Sequence, residues 1–110
     1  MRRHLLAALL LIALPASAES IDCRVIGIAD GDTFSCLTAS RDQVRVRLAG
    51  IDAPELGQPY GRRARQALSG FVFGKDVTLI VQDRDRYGRT VAQVKVPDID
   101  VNAEMVRTGA

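Results

Sequence analysis

Hydrophobic and polar positions change period several times along the chain, and each change marks an element. Val44, Val46 and Leu48 alternate with Arg45 and Arg47, the two-residue period of a half-buried strand. Ahead of it, Ile21 to Ala29 is an apolar, β-branched run that ends at Asp30-Gly31-Asp32-Thr33, and extended character resumes from Phe34 to Leu37. Asp-Gly between two such runs predicts a hairpin in which Gly31 supplies the positive φ of the turn. Ser40 to Gln43 reads as a second polar turn, so the first three strands form an antiparallel meander. From Tyr60 the period lengthens. Ala64, Ala67, Leu68, Phe71 and Val72 recur at helical spacing, with Arg62, Arg63, Arg65 and Gln66 on the other face. Gly74 stops that helix. Val77, Leu79 and Val81 alternate as a fourth strand, Asp83 to Gly88 is a charged turn, and Thr90 to Val96 is the returning fifth strand. Asp100 caps a last short helix, Val101 to Arg107, which Gly109 terminates.

Three strands, a helix, two strands and a helix predict a β-barrel with helices, of the α+β class: a five-stranded Greek-key barrel of the OB type. The 110 residues suffice for one such domain. The start of the chain follows other rules. Arg2 and Arg3 precede the apolar run Leu5 to Leu14, then Pro15 and Ala16-Ser17-Ala18. That is the pattern of a secretory signal peptide, residues 1–18, cleaved after Ala18. The run is short for a bilayer span. Residues 19–110 are then the domain, expected to be exported, periplasmic or secreted, monomeric, and without stable membrane association after cleavage.

Loss of the leader changes the charge. The whole chain has 15 Lys+Arg against 13 Asp+Glu, and without Arg2 and Arg3 each sign stands at 13. Near-neutrality offers no support for nucleic-acid binding, so such a function must rest on local clusters. Two exist, Arg62-Arg63-Arg65 and Arg84-Arg86-Arg89; the first also fits the solvated face of the helix. The single histidine, His4, lies in the leader. The mature domain thus has no histidine base, no histidine zinc ligand and no Ser-His or Cys-His pair. Cys23 and Cys36 flank the Asp30-Gly31-Asp32 turn. In an oxidising compartment they are candidates for a disulfide, with two reduced, buried thiols as the other reading.

The stretch from Val44 to Glu55 gathers the most chemistry. Its strand delivers Arg47 toward a loop holding Asp52 and Glu55, one cation beside two acids, which suits a metal ion and a phosphate together. The same letters also make a capping box, with Asp52 as N-cap, Pro54 in the first turn and Glu55 three residues on. Three motifs occur in order: Asp30-Gly31-Asp32-Thr33, then Arg47-Leu48-Ala49-Gly50-Ile51-Asp52-Ala53-Pro54-Glu55, then Asp85-Arg86-Tyr87-Gly88-Arg89. Together, with Val101 to Arg107 as a later helix, they resemble the thermonuclease, or staphylococcal nuclease-like, family of calcium-dependent secreted nucleases.

The resemblance covers Ile21 to Ala110 and implies roles residue by residue. Asp32 and Asp52 would give carboxylate oxygens to one Ca2+, with the backbone carbonyl of Ala53 as a further ligand, in keeping with calcium's demand for hard oxygens. Glu55 would accept a proton from the attacking water or orient it. Arg47 and Arg89 would grip the non-bridging oxygens of the scissile phosphodiester, and Arg86 and Tyr87 would contact a terminal phosphate and sugar. The implied activity is endo- and exonucleolytic hydrolysis of DNA and RNA, preferably single-stranded, leaving 3′-phosphates. Family members often carry threonine where Ala53 stands and continue past Ala110 with a further helix. The resemblance therefore implies a C-terminally incomplete barrel that lacks the family's last helix. A second class stays open: a non-catalytic OB module for nucleic acid or protein, or an inactive truncated nuclease. The acid trio Asp32, Asp52 and Glu55 and the scarcity of aromatics both weigh against a binding module.

Overall fold

The computed structural model describes residues 19–51, 53, 58 and 60–109. The expected leader, Asp52, Pro54 and Glu55 lie outside the described residues.

Strand β1 runs Ser20–Asp30, β2 Thr33–Thr38 and β3 Gln43–Leu48; helix α1 is Gly61–Val72; β4 Asp76–Arg84 and β5 Thr90–Val96 follow, then a two-residue β6, Ile99–Asp100, and helix α2, Val101–Arg107. The strand order β3-β2-β1-β4-β5 closes on itself through a parallel β3–β5 pairing. This is the closed five-stranded barrel with two helices that the alternation predicts. The addition is β6, which extends the edge of β5 by pairing Val96 with Ile99.

β1 can close the barrel because it is long enough to serve two neighbours. Its first half pairs with β4, from Ser20 opposite Ile80 to Arg24 opposite Asp76, and its second half pairs with β2 up to Asp30 opposite Thr33. Inward positions step from Cys23 to Val25 and then to Ile28. A register shift between Val25 and Gly27 absorbs the extra residue and bends the strand. Phe34, Val46, Leu48, Leu79 and Val94 fill the interior. Leu68 and Val72 of α1 and Val101 and Met105 of α2 are fully buried in the same core.

Cys23 and Cys36 are joined by a disulfide across β1 and β2, with Cα atoms 5.6 Å apart. Both side chains are buried. They sit on a diagonal, since Cys36 lies opposite Val25 and Cys23 opposite Thr38. Gly74, at φ 73°, ends α1, and Gly88, at φ 81°, turns the chain between β4 and β5. Gly31 departs from expectation. It is absent from the positive-φ glycines, which among the described residues are Gly50, Gly74, Gly88 and Gly109. Its requirement is for space: a β-carbon there would lie 2.5 Å from Ala64 Cβ and 2.8 Å from Ala53 Cβ.

A buried polar clamp ties α2 to the barrel. Asn102 Oδ1 accepts from Val94 N at 2.8 Å, and Asn102 Nδ2 donates to Ala49 O at 3.0 Å and Ala92 O at 3.1 Å. One side chain thereby fixes the end of β3, the middle of β5 and the start of the helix. Asp100 caps that helix by accepting from Ala103 N at 3.2 Å.

Candidate functional site

The inward alternation of Val46 and Leu48 turns Arg45 and Arg47 to the outside of β3. The neighbouring strand on that face is β5, whose parallel register sets Arg47 beside Val91. Arg89 lies two residues before Val91 and so belongs to the same outer face. Barrel closure is what brings these arginines, from distant parts of the chain, onto adjacent strands.

Arg47 reaches toward the β1–β2 turn. Its Nη2 lies 3.4 Å from Asp32 Oδ2, and its Nη1 donates to Ile51 O at 3.0 Å. Both side chains are largely enclosed, at 22% and 12% exposure. Asp32 is held by further bonds, accepting from Thr33 Oγ1 at 3.0 Å and from Ala53 N at 3.3 Å. The structure therefore gathers Arg47, Asp32 and Ala53, three of the residues picked out in the sequence. Asp52 and Glu55, the other two of that group, fall outside the described residues.

Asp30 is a member of this cluster that the motifs did not single out. Its Oδ1 accepts from Asp32 N at 3.1 Å. Burial, and after it the neighbouring Asp30 carboxylate, pushes the Asp32 carboxyl up. Burial acts on Asp30 in the same sense, but hydrogen bonding from Asp32 and Thr33 and the charge of Arg47 outweigh it and leave Asp30 low. Two enclosed carboxylates in one tight turn repel unless a proton or a cation lies between them. Hard oxygens on a loop are the donor type that Ca2+ accepts, with carbonyls and water completing its shell. The Asp30/Asp32 turn fits part of such a shell. Among the described residues no three acidic, cysteine or histidine side chains converge on a metal site, so a complete shell would need further ligands, for which Asp52 is the expected source.

The second half of the site is the β4–β5 turn, organised by Asp85. Its Oδ1 accepts from Tyr87 N at 2.9 Å and Arg89 N at 3.0 Å, and its Oδ2 accepts from Arg89 Nε at 2.7 Å. The Arg89 head is thus fixed through Nε, and its two terminal nitrogens take no part in that bond. Arg86 and Arg89 lie 5.1 Å and 5.4 Å from the centroid of the exposed Tyr87 ring, within range of cation–π attraction. Asp85 and Asp30 were both legible as turn residues only; what distinguishes them is which arginine or amide they face.

Of the basic helix cluster, Arg62 and Arg63 are exposed, while Arg65 Nε donates to Ile28 O at 3.1 Å and docks α1 on β1. The solvated-face reading holds there, with one arginine used as a clamp.

A family profile described as staphylococcal nuclease homologue matches residues 45–110. The chain belongs to that family. It is 45% identical over 111 residues to an uncharacterized endonuclease of Haemophilus influenzae, covering 98% of this chain and 62% of that protein. It is 43% identical to an uncharacterized endonuclease of Escherichia coli O157:H7, covering all of this chain and 72% of that protein. A micrococcal nuclease of Shigella flexneri is 41% identical, with 94% of this chain and 63% of that protein aligned. The chain thus spans roughly two thirds of the length of these curated relatives.

Proposed function

We propose that the protein is an exported, calcium-dependent nuclease that hydrolyses phosphodiester bonds of DNA and RNA, prefers single strands and leaves 3′-phosphates. The observation that carries this reading is the placement of Arg47 against the enclosed Asp32 carboxylate, with Arg89 held by Asp85 in the turn that leads into the adjacent strand β5. Names borne by the relatives, endonuclease and micrococcal nuclease, support the same reaction class.

Each residue then has a physical task. Arg47 and Arg89 offer forked donors to the non-bridging oxygens of one phosphate, and their hold strengthens as negative charge builds on those oxygens. Asp32 and Ile51 O on one side, and Asp85 on the other, fix the two guanidinium heads before the substrate arrives, so little reorganisation is needed at the moment of reaction. Asp32, Asp52 and Ala53 would hold Ca2+, which when bound supplies positive charge that screens the phosphate from its attacker. Glu55 takes the proton of the attacking water. Tyr87 and Arg86 receive the neighbouring sugar and phosphate. Export agrees with the Cys23–Cys36 disulfide, a bond at home in oxidising compartments.

The test is digestion of heat-denatured DNA by the purified protein, with calcium and then with a calcium chelator. Cleavage that needs calcium and leaves 3′-phosphate ends is the expected result. Binding of single strands without cleavage in calcium would instead favour a non-catalytic OB module and would overturn the proposal. Glu55→Gln is expected to fold yet lose most turnover; full activity in that variant would remove Glu55 from its role.

A further inference from the structure

One cation on the outer face of the barrel is used by neither the acid turn nor the Arg89 anchor. Arg45 precedes Arg47 by two residues on β3, so both side chains leave the same face, separated by roughly 6.6 Å along the strand. The β3–β5 pairing begins with Val46 beside Thr90, so Arg45 and Arg89 each stand one residue before that first pair. Arg45 Nη1 donates to Tyr87 O at 3.3 Å, and Arg86 Nη2 donates to Tyr87 Oη at 3.0 Å. A peptide carbonyl and a phenol are neutral acceptors, so neither bond cancels a charge. Among the described residues Arg45 and Arg86 meet no carboxylate, whereas Arg89 is paired with Asp85. Two guanidinium groups with no carboxylate partner therefore meet at Tyr87, Arg45 on its backbone carbonyl and Arg86 on its side chain, which is 58% exposed. A basic groove beside an exposed aromatic is how proteins track the backbone of a single strand.

We propose that Arg45 holds a further phosphate of a single-stranded substrate, one nucleotide beyond the phosphate gripped by Arg47 and Arg89, on the side away from the Asp30/Asp32 turn. This rests on the nuclease reading and deepens it: the preferred substrate is an oligonucleotide that runs from the acid turn, past Arg47, to the Arg45–Arg86–Tyr87 corner. The spacing of Arg45 and Arg47 along an extended strand is close to that of successive phosphates in an extended nucleic-acid strand.

The experiment is fluorescence anisotropy of a labelled oligothymidylate of about eight nucleotides, with chelator present to prevent cleavage, across a series of salt concentrations. Arg45→Gln keeps a donor for Tyr87 O and removes the charge. It is expected to weaken binding severalfold, to narrow the affinity gap between the long oligonucleotide and a dinucleotide, and to lower the slope of log affinity against log salt by about 0.7. Arg45→Lys should retain the wild-type slope, and Arg62→Ala, on the exposed face of α1, serves as the surface control. Weakened binding with an unchanged slope would make Arg45 a clamp on the turn and overturn the proposal. So would wild-type behaviour in Arg45→Gln while the wild-type protein binds. A wild-type protein that retains no single strand in chelator yet cleaves DNA in calcium would overturn the Arg45 proposal alone, whereas one that neither binds in chelator nor cleaves in calcium would overturn the nuclease reading as well, which separates the two failures.

Discussion

Gly31→Ala is the substitution whose cost follows most directly from the geometry. The added carbon would stand 2.5 Å from Ala64 Cβ, 2.8 Å from Ala53 Cβ and 3.1 Å from the backbone carbon of Ala64. None of these neighbours can rotate away, since alanine has no further torsion and a helix backbone moves only as a unit. Either α1 lifts off the barrel or the Asp30–Asp32 turn retreats. Overpacking of this kind costs about 1–3 kcal/mol, and three unyielding contacts argue for the upper half. For a domain of this size about 2 kcal/mol lowers the melting temperature by roughly 8–16 °C. The turn also carries the site. A retreat of Asp32 stretches its 3.3 Å bond from Ala53 N and its 3.4 Å approach to Arg47, so the proposed cleavage of DNA should fall even at temperatures where the variant is folded. Thermal and urea unfolding followed by circular dichroism, with DNA digestion in parallel, reads both effects. Ala64→Gly removes the nearest obstacle at its own helix cost of about 1 kcal/mol. The double variant should therefore lose less than the two single losses combined, by about 1 kcal/mol or more. A melting temperature for Gly31→Ala within about 2 °C of wild type, or strictly additive losses in the double variant, would refute the steric reasoning.

Four more outcomes follow from other contacts. Asp85→Asn should leave the barrel folded but release the Arg89 head, lowering kcat about 10- to 100-fold with a smaller change in KM; an unchanged kcat would show that Arg89 needs no tether. Burial alone would raise the Asp85 carboxyl, but bonds from Arg89 N and Nε and Tyr87 N more than offset it and hold it low. A carboxylate depressed in the folded state contributes stability above its unfolded value and loses it as the pH falls through the folded one. NMR shifts of the Tyr87 and Arg89 amides should therefore stay flat from neutrality down to the ordinary aspartate range and move only below it; movement above that range would contradict that ordering. Asn102→Leu strands Ala49 O and Val94 N and leaves Ala92 O only its bond from Ala49 N, and at about 1–3 kcal/mol for each buried group left unpaired it should be among the most damaging single changes; a urea midpoint near wild type would mean the two stranded groups find other partners. Reducing the Cys23–Cys36 bond, whose partners are 13 residues apart, should cost about 3 kcal/mol, read as a lower urea midpoint in reductant.

What the sequence could convey was whatever has a short period. Val44 to Leu48, Val77 to Val81 and the α1 stripe of Ala64, Leu68 and Val72 repeat within a few residues, and each appears where its repeat places it. The apolar run of β1 is less legible, because a bulge steps the inward face from Val25 to Ile28 and breaks the alternation. β6 is two residues long and has no period to read. In the sequence Gly31 suggests only a common property of glycine, positive φ, whereas its constraint comes from Ala64, 33 positions later, in the packing of α1 on the turn. The site shows the same division. Arg47, Asp32 and Arg89 were identifiable from motifs, but a motif carries no information about what a side chain leans on.

The residues that were missed share a feature that explains the omission. Asp30, Asp85, Arg45 and Asn102 each act by facing a group brought near by the parallel β3–β5 closure or by a turn packed against it. Asp85 looks like any acid in a charged turn until Arg89 folds back on it, and Arg45 looks like any exposed strand residue until β5 sets Tyr87 alongside. Closure of the barrel is the step that converts a row of alternating arginines into two oriented guanidinium heads and a basic corner. Perturbations that loosen closure without touching an arginine, such as Asn102→Leu at the β3 and β5 carbonyls, should on this argument weaken grip on phosphate along with stability. Direct loss of Asp85, by contrast, should separate the two.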